Sequence, residues 1–179
     1  QYNNTTYQFN SFDANGFTVT DDTAGNYAVN GNNETYVAWA WKAGDHDDNL
    51  PEINTEGTID SVVSVNDAAG FSIVKYTGTG ALATIGHGLS SAPELFIIKN
   101  LDDGTRAWLV YDAINTATNN MTLNTTAASN SSSAAYNDTE PTSTVFTVNT
   151  STHVNAANDN HIAYCFTSIT GYQKIGSYT

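Results

Sequence analysis

The chain has 179 residues, with 5 Lys+Arg against 18 Asp+Glu, for a net charge of -13. Charged residues make up only 13%, about half the usual ~25%, and polarity comes instead from 22 Asn and 26 Thr. Five cations supply no footprint for nucleic acid or an anionic membrane surface, no apolar run approaches the ~18 residues that cross a bilayer, and a single cysteine excludes an internal disulfide or a multi-Cys zinc site.

The length is room for one domain, or for one domain and part of another. The start at Gln1, with neither an initiator Met nor a signal peptide, is expected of a processed product or of part of something longer. With 11% aromatic residues the chain has enough apolar area to build a core.

Apolar residues recur with a period of two almost everywhere, which predicts strands. In chain order the first is residues 16–20, GFTVT. In residues 35–41, Val37, Trp39 and Trp41 share one face and Tyr36, Ala38 and Ala40 the other, the pattern of a core strand. Strands follow at 59–64, 70–76, 82–85, 94–99, 106–111, 121–123, 143–148 and 160–166. Residues 94–99 form a continuous apolar run, as expected of a strand buried on both sides. In residues 160–166 the heavy face carries Ile162, Tyr164 and Phe166. Turn signals separate these runs, among them Asn15-Gly16, Asn30-Gly31, Asp103-Gly104 and Asn158-Asp159. A short helical turn is predicted within 112–120, and mobile surface loops at 44–51 and 127–139. Strands and turns at this spacing predict an all-β fold, a β-sandwich of jelly-roll or lectin-like kind with tandem modules.

An internal repeat supports the modular reading. Phe17-Thr-Val, Val29-Asn30 and residues 36–41 (YVAWAW) run in the same order as Phe146-Thr-Val, Val154-Asn155 and residues 161–166 (HIAYCF). A Gly-aromatic strand ending in Tyr-Thr follows each, at residues 70–77 and 171–179. The predicted organisation is therefore the end of one β unit with an acidic loop over residues 1–58, then a sandwich repeat unit over 59–179.

Candidate chemistry is sparse. The histidines are His46, His87, His153 and His161, and no G-x-S-x-G elbow is present. His87, between Gly86 and Gly88, is expected to be a turn residue bonded to local backbone. His161 shares a strand face with Ala163 and Cys165 and has no evident acidic partner. A glycosidase needs two carboxylates across a cleft; Glu34, Glu52, Glu56, Glu94 and Glu140 fall in turns or at strand edges without a paired motif. Asp45, Asp47, Asp48 and Asn49 are dense in hard oxygen ligands and are the candidates for a structural Ca2+. They lack the glycine of a calcium loop, and a solvated acidic loop is the plainer reading. For sugar binding the aromatic candidates are Trp39, Trp41, Trp108, Tyr111 and Tyr136. The two Trp residues alternate with alanine as in a core, which leaves Tyr136, inside a polar stretch, as the candidate glycan contact. No catalytic residue and no cofactor site is identified.

One block runs from residues 70–80 (GFSIVKYTGTG) through 86–100 (GHGLSSAPELFIIKN) to WLVY at 108–111. A second runs from 141–148 (PTSTVFTV) through Val154-Asn155 and IAYCF at 162–166 to GYQKIGSYT at 171–179. Together they resemble the β-rich repeat module of virion structural and tail-fibre-like proteins of marine tailed bacteriophages, cyanophages among them. The resemblance covers residues 60–179, and residues 16–44 resemble the end of a preceding copy. It implies a non-enzymatic virion structural protein, a fibre, tail appendage or capsid decoration at the virion surface or otherwise extracellular. The implied partners are copies of itself, as a trimer if it is a fibre, other virion proteins and a host surface glycan. No catalytic residues carry over. Two other expectations stand beside it: a carbohydrate-binding module that recognises surface glycans, and a subunit of an extracellular bacterial filament or adhesin.

Overall fold

The structure, a computed structural model, describes residues 9–19, 29–31, 33–44 and 52–177. It divides into two compact units, Gln1–Ala40 and Trp41–Thr179. The second unit therefore begins ahead of the 58/59 boundary expected from the sequence. The reason is pairing: Glu52–Asn54 is an edge strand of the main sheet, hydrogen-bonded to the strand at Ser61–Asn66.

In the first unit β1 (Phe9–Asp13) and β2 (Gly16–Val19) form an antiparallel hairpin. The Asp13 carboxylate accepts from the Ser11 and Thr18 hydroxyls at 2.9 and 2.8 Å. A tight turn follows, in which the Glu34 N–H donates to the Gly31 carbonyl and Asn33 takes a φ of 65°. Residues 34–40 form no strand, contrary to the core strand predicted at 35–41. Trp39 is 76% exposed and Trp41 48% exposed, so neither is a core residue. Alternation alone does not make a strand; the backbone needs a neighbouring ladder.

The second unit is an all-β sandwich. Its main layer is an antiparallel sheet of β3 (Glu52–Asn54), β4 (Ser61–Asn66), β5 (Phe71–Thr77), β7 (Leu95–Asn100), β8 (Leu109–Asp112), β9 (Asn119–Thr122), β10 (Asn130–Ser131) and β12 (Asn160–Phe166). The spatial order is β10-β9-β8-β7-β12-β5-β4-β3. The opposing layer holds β6 (Ala83–Gly86) paired with β11 (Val145–Val148), with the single-turn helices α1 (Ser133–Tyr136) and α2 (Thr152–Asn155). Ser61 Oγ donates to the Gly86 carbonyl and ties the layers at one end.

The core between the layers is aromatic. Phe96 stacks on Tyr111 at 4.6 Å and on Phe146 at 4.9 Å, and meets Tyr136 edge-on at 5.2 Å. Cross-strand and cross-layer aromatic pairs of this kind add to the burial of their area. Because these rings fill the interior, the central strand β12 turns its small side chains inward. Ala163 and Cys165 are fully buried there with His161, whereas Ile162 and Tyr164 of the heavy face look outward and are half-buried.

The structure changes three further local expectations. Residues 171–177, expected as a strand, form none and make only a single β-bridge, Gln173 to Ile169. Residues 127–139 are not a featureless loop: they carry β10 and α1, with Ser132 Oγ capping α1 and Ala135 and Tyr136 buried. Residues 112–120 form no helix. Asp112 Oδ1 accepts from the Ile114 and Asn115 N–H groups, an Asx-type turn that leads into β9. Gly88 has a φ of 76° and its α-carbon faces Val65 so closely that a Cβ would stand 2.6 Å from Val65 Cγ2.

Phe96→Ala removes the ring that touches both layers. A loss of ~3–5 kcal/mol in unfolding free energy is expected, read from urea denaturation; a loss under about 1 kcal/mol would contradict the packing described.

Candidate interaction surface

Most polar groups that chemistry could recruit are held by the fold. His87 is fully buried. Its Nδ1 accepts from the Leu89 N–H at 3.2 Å, which leaves the proton on Nε2, 3.2 Å from the Thr142 carbonyl. This is the backbone-bonded turn histidine expected from the sequence. His161 stacks on Tyr76 at 5.2 Å with Nδ1 3.0 Å from the Asp159 carbonyl, and its Nε2 has no hydrogen-bond partner. Burial pushes both imidazoles below their usual pKa; the Thr142 carbonyl opposes this at His87, and the Asp159 carbonyl and carboxylate oppose it at His161.

The carboxylates behave alike. Glu140 accepts from Tyr111 Oη at 2.5 Å and from the Ala117 N–H at 2.8 Å. Burial first, and this carboxylate second, push the Tyr111 phenol up. Glu94 accepts from the Ser168 N–H and hydroxyl. Asp102 is held below the usual carboxylate range by the Asn160 N–H and side-chain amide, and Asp103 by the Thr105 hydroxyl and N–H. Among the described residues no group of three or more His, Cys, Asp or Glu is arranged to hold a metal. The calcium candidates Asp45, Asp47, Asp48 and Asn49 lie outside the described residues, as does His46.

Tyr136, the glycan candidate, is overturned as an exposed platform. It is 1% exposed, its ring edges against Phe96 and Tyr111, and its hydroxyl is buried without a partner. Tyr111 is buried as well. Trp108 stacks on Tyr164 at 6.4 Å, half-buried on the outer side of the main sheet.

That outer side is the most distinctive surface. The register aligns Ile73, Tyr164, Ile97, Val110 and Met121 in one row across five strands. Trp41 covers one corner, 6.1 Å from Phe71 and 5.5 Å from Phe166. Residues 41–44 follow β4, with the Gly44 N–H bonded to Ser64 Oγ and the Lys42 carbonyl accepting from Asn66 Nδ2. The next outer row places Lys75 and Lys99 on either side of Ile162, so the outer side is an apolar row edged by cations, a face suited to take a second layer along that row.

Between β8, β9 and β10 of the main sheet and the helices α1 and α2 of the opposing layer lies a cleft of about 280 Å3. Its polar lining is Asn120, Thr122, Asn130, Ser132, Ser151 and His153, over Leu109 and Ala135. Short hydroxyl and amide side chains over an apolar floor can bind a neutral polyol by hydrogen bonds. Sequence reading missed this group because its members come from five separate elements, β8, β9, β10, α1 and α2 with their caps, and none carries a motif by itself.

Fold and surfaces together define an all-β sandwich module that carries, among its described residues, an apolar outer row and a polar cleft. The chain belongs to the family described as Domain of unknown function (DUF7483), whose model matches residues 1–179. No curated protein and no solved structure matches it.

The buried histidines give a pH dependence of known sign. Their folded pKa values lie below the free value of ~6.5, so their stabilisation is complete above that pH and is lost as the pH falls through the folded values. The slope reaches about 1.4 kcal/mol per pH unit per histidine. Urea denaturation at pH 7, 6 and 5 is expected to show falling stability, and His87→Gln to shallow the slope by about one proton. An unchanged slope in that variant would contradict a neutral buried His87.

Proposed function

We propose that the chain is a non-enzymatic structural protein of a phage virion, a fibre, tail appendage or capsid decoration, whose sandwich units associate with copies of themselves. The motif order of residues 60–179 supports the virion reading. The row Ile73, Tyr164, Ile97, Val110 and Met121 on the outer sheet face is the observation that carries self-association. Val110 in this row is 5% exposed and the others are half-buried, so the row offers a flat apolar seam for a second layer, and the -13 charge keeps assembled particles apart. The roles of His87, Glu94, Glu140, Asp102 and Asp103 in backbone and side-chain hydrogen bonds favour a structural over a catalytic use of these groups.

Native mass spectrometry of the purified chain is expected to give a discrete homo-oligomer. Tyr164→Glu, which places a charge in the middle of the row, is expected to give monomer with a retained cooperative melt. A monomeric wild-type chain would sink the self-association, and an open-ended series of sizes would favour the filament subunit. Peptides of this chain in purified tailed-phage particles, and their absence from the uninfected host, test the virion assignment.

A second reading, carbohydrate binding, is favoured by the polar cleft at Asn120, Asn130 and His153. If it holds, a glycan array gives binding that is lost at least tenfold in Asn120→Ala and unaffected in Tyr136→Phe, whose ring is buried. Absence of binding to any glycan retires this reading.

A further inference from the structure

Residues 29–41 (VNGNNETYVAWAW) align without a gap with residues 154–166 (VNAANDNHIAYCF). Val29, Asn30, Asn33 and Ala38 match Val154, Asn155, Asn158 and Ala163, and Trp39 and Trp41 stand where Tyr164 and Phe166 do. The backbone repeats too. Asn33 and Asn158 both have a φ of 65°. The Glu34 N–H donates to the Gly31 carbonyl at 3.2 Å, and the Asp159 N–H to the Ala156 carbonyl at 3.2 Å. The left-handed Asn and the closing hydrogen bond thus make the same turn in both places.

In the second copy this stretch is locked onto the rest of its unit. Tyr76 Oη donates to the Val154 carbonyl at 2.5 Å. Asn155 accepts from the Thr79 N–H and donates to the Ala81 carbonyl. Asp159 accepts from Asn100 Nδ2 at 2.8 Å. β12 then enters the slot between β5 and β7. The first copy keeps Val29, Asn30 and an acid, Glu34, at these locking positions. Yet Asn30 is exposed, Val37 is 71% exposed, and residues 34–40 form no strand.

The side-chain pattern also fits a central strand. The inner face of β12 tolerates only small groups at Ala163 and Cys165, both fully buried, and the first copy has Ala38 and Ala40 there. At the His161 position, where a flat ring stacks on Tyr76, it has Tyr36.

We propose that residues 29–41 are the closing strand of a second sandwich unit of the same kind. In that unit they occupy the slot between a β5-like and a β7-like strand that β12 fills here. The slot of this chain's own unit is taken by β12, so the acceptor is another unit that contributes the β4-to-β9 part of the fold. Recognition is by two backbone ladders, by the Asn30 side chain on the acceptor's β5–β6 connection, and by Ala38 and Ala40 under its aromatic core. This holds whether or not the protein is a virion component.

The test is a graft in the full chain: residues 154–166 are replaced by the sequence of residues 29–41. A cooperative melt within about 10 °C of the parent is expected, with amide hydrogen exchange of the grafted strand as slow as that of β12 in the parent. The double variant His161→Tyr with Cys165→Ala makes only the inner-face changes and is expected to fold. Loss of the cooperative transition in the graft while the double variant folds would overturn the proposal. Loss in the double variant would overturn it as well, because the slot would then reject the inner face that residues 29–41 present.

Discussion

The second unit depends on one strand that arrives late in the chain and lands in the middle of the sheet. β12 pairs with β5 along seven residues and with β7 along six. Without it, β3-β4-β5 and β7-β8-β9-β10 are two separate ribbons. Besides the tie from Ser61 to Gly86, contacts that close the sandwich reach through the same stretch. The Val154 carbonyl and Asn155 pin the end of β5 and the β5–β6 connection, and Asp159 pins Asn100 at the end of β7. The aromatic interior is then possible only because β12 offers Ala163 and Cys165 beneath it. Close packing leaves little tolerance for extra volume at such a position.

The polar side of the fold follows from its composition. With few charges available, buried polar groups are satisfied by backbone and by amide and hydroxyl side chains. Asn155 alone holds three backbone groups from two loops, and Asn100 Oδ1 holds the Asp102 and Asp103 N–H groups of the following turn. Asn and Thr are suited to this work because they both donate and accept without the desolvation cost of a charge. Ser72 Oγ, Tyr136 Oη and His161 Nε2 are the exceptions among the described residues, buried with no hydrogen-bond partner. All three sit on or beside the inner face, where the interior is closed by rings and not by polar groups.

The strands of the second unit were legible in the sequence because each carries its own alternation. Residues 160–166 coincide with β12, and 94–99 and 143–148 overlap β7 and β11 closely. What was not legible is what depends on neighbours. Ile162, Tyr164 and Phe166 are larger than His161, Ala163 and Cys165, and size suggests an inward face. The opposite holds, because Phe96, Phe146, Tyr111 and Tyr136 already fill the interior from other elements. Tyr136 is surrounded in sequence by Ser, Asn and Asp, which read as solvent-exposed. The available signal was the helix-compatible Ser132 cap and Ala134-Ala135 pair just before it. Residues 35–41 have as good an alternation as any strand in the chain, yet form none, since a strand is a property of two paired segments and not of one. The polar cleft was out of reach for the same reason: only the fold brings Asn120, Asn130 and His153 to one opening.

Topology also sets an order on assembly. β4 and β5, or β7 and β8, can pair through short connections as soon as they are made, because closing a short loop costs little. The β5–β12 ladder joins Phe71 to Phe166 and Thr77 to Asn160, and contacts of such long sequence separation form late. Until then, β5 and β7 each present an open edge to one gap, with unpaired N–H and C=O groups on both sides. Open edges are templates for any strand of suitable face, and a gap between two edges is a stronger template than one edge, because the incoming strand gains two ladders at once. A module built this way is completed by whichever matching strand is nearest. In the second unit that strand follows on the same chain, tethered by the α2 turn, and the tether gives β12 a high effective concentration at the slot. A fold closed by its last strand therefore lends itself to units joined in series, in which the element that finishes one sheet and the element that opens the next lie on one continuous backbone.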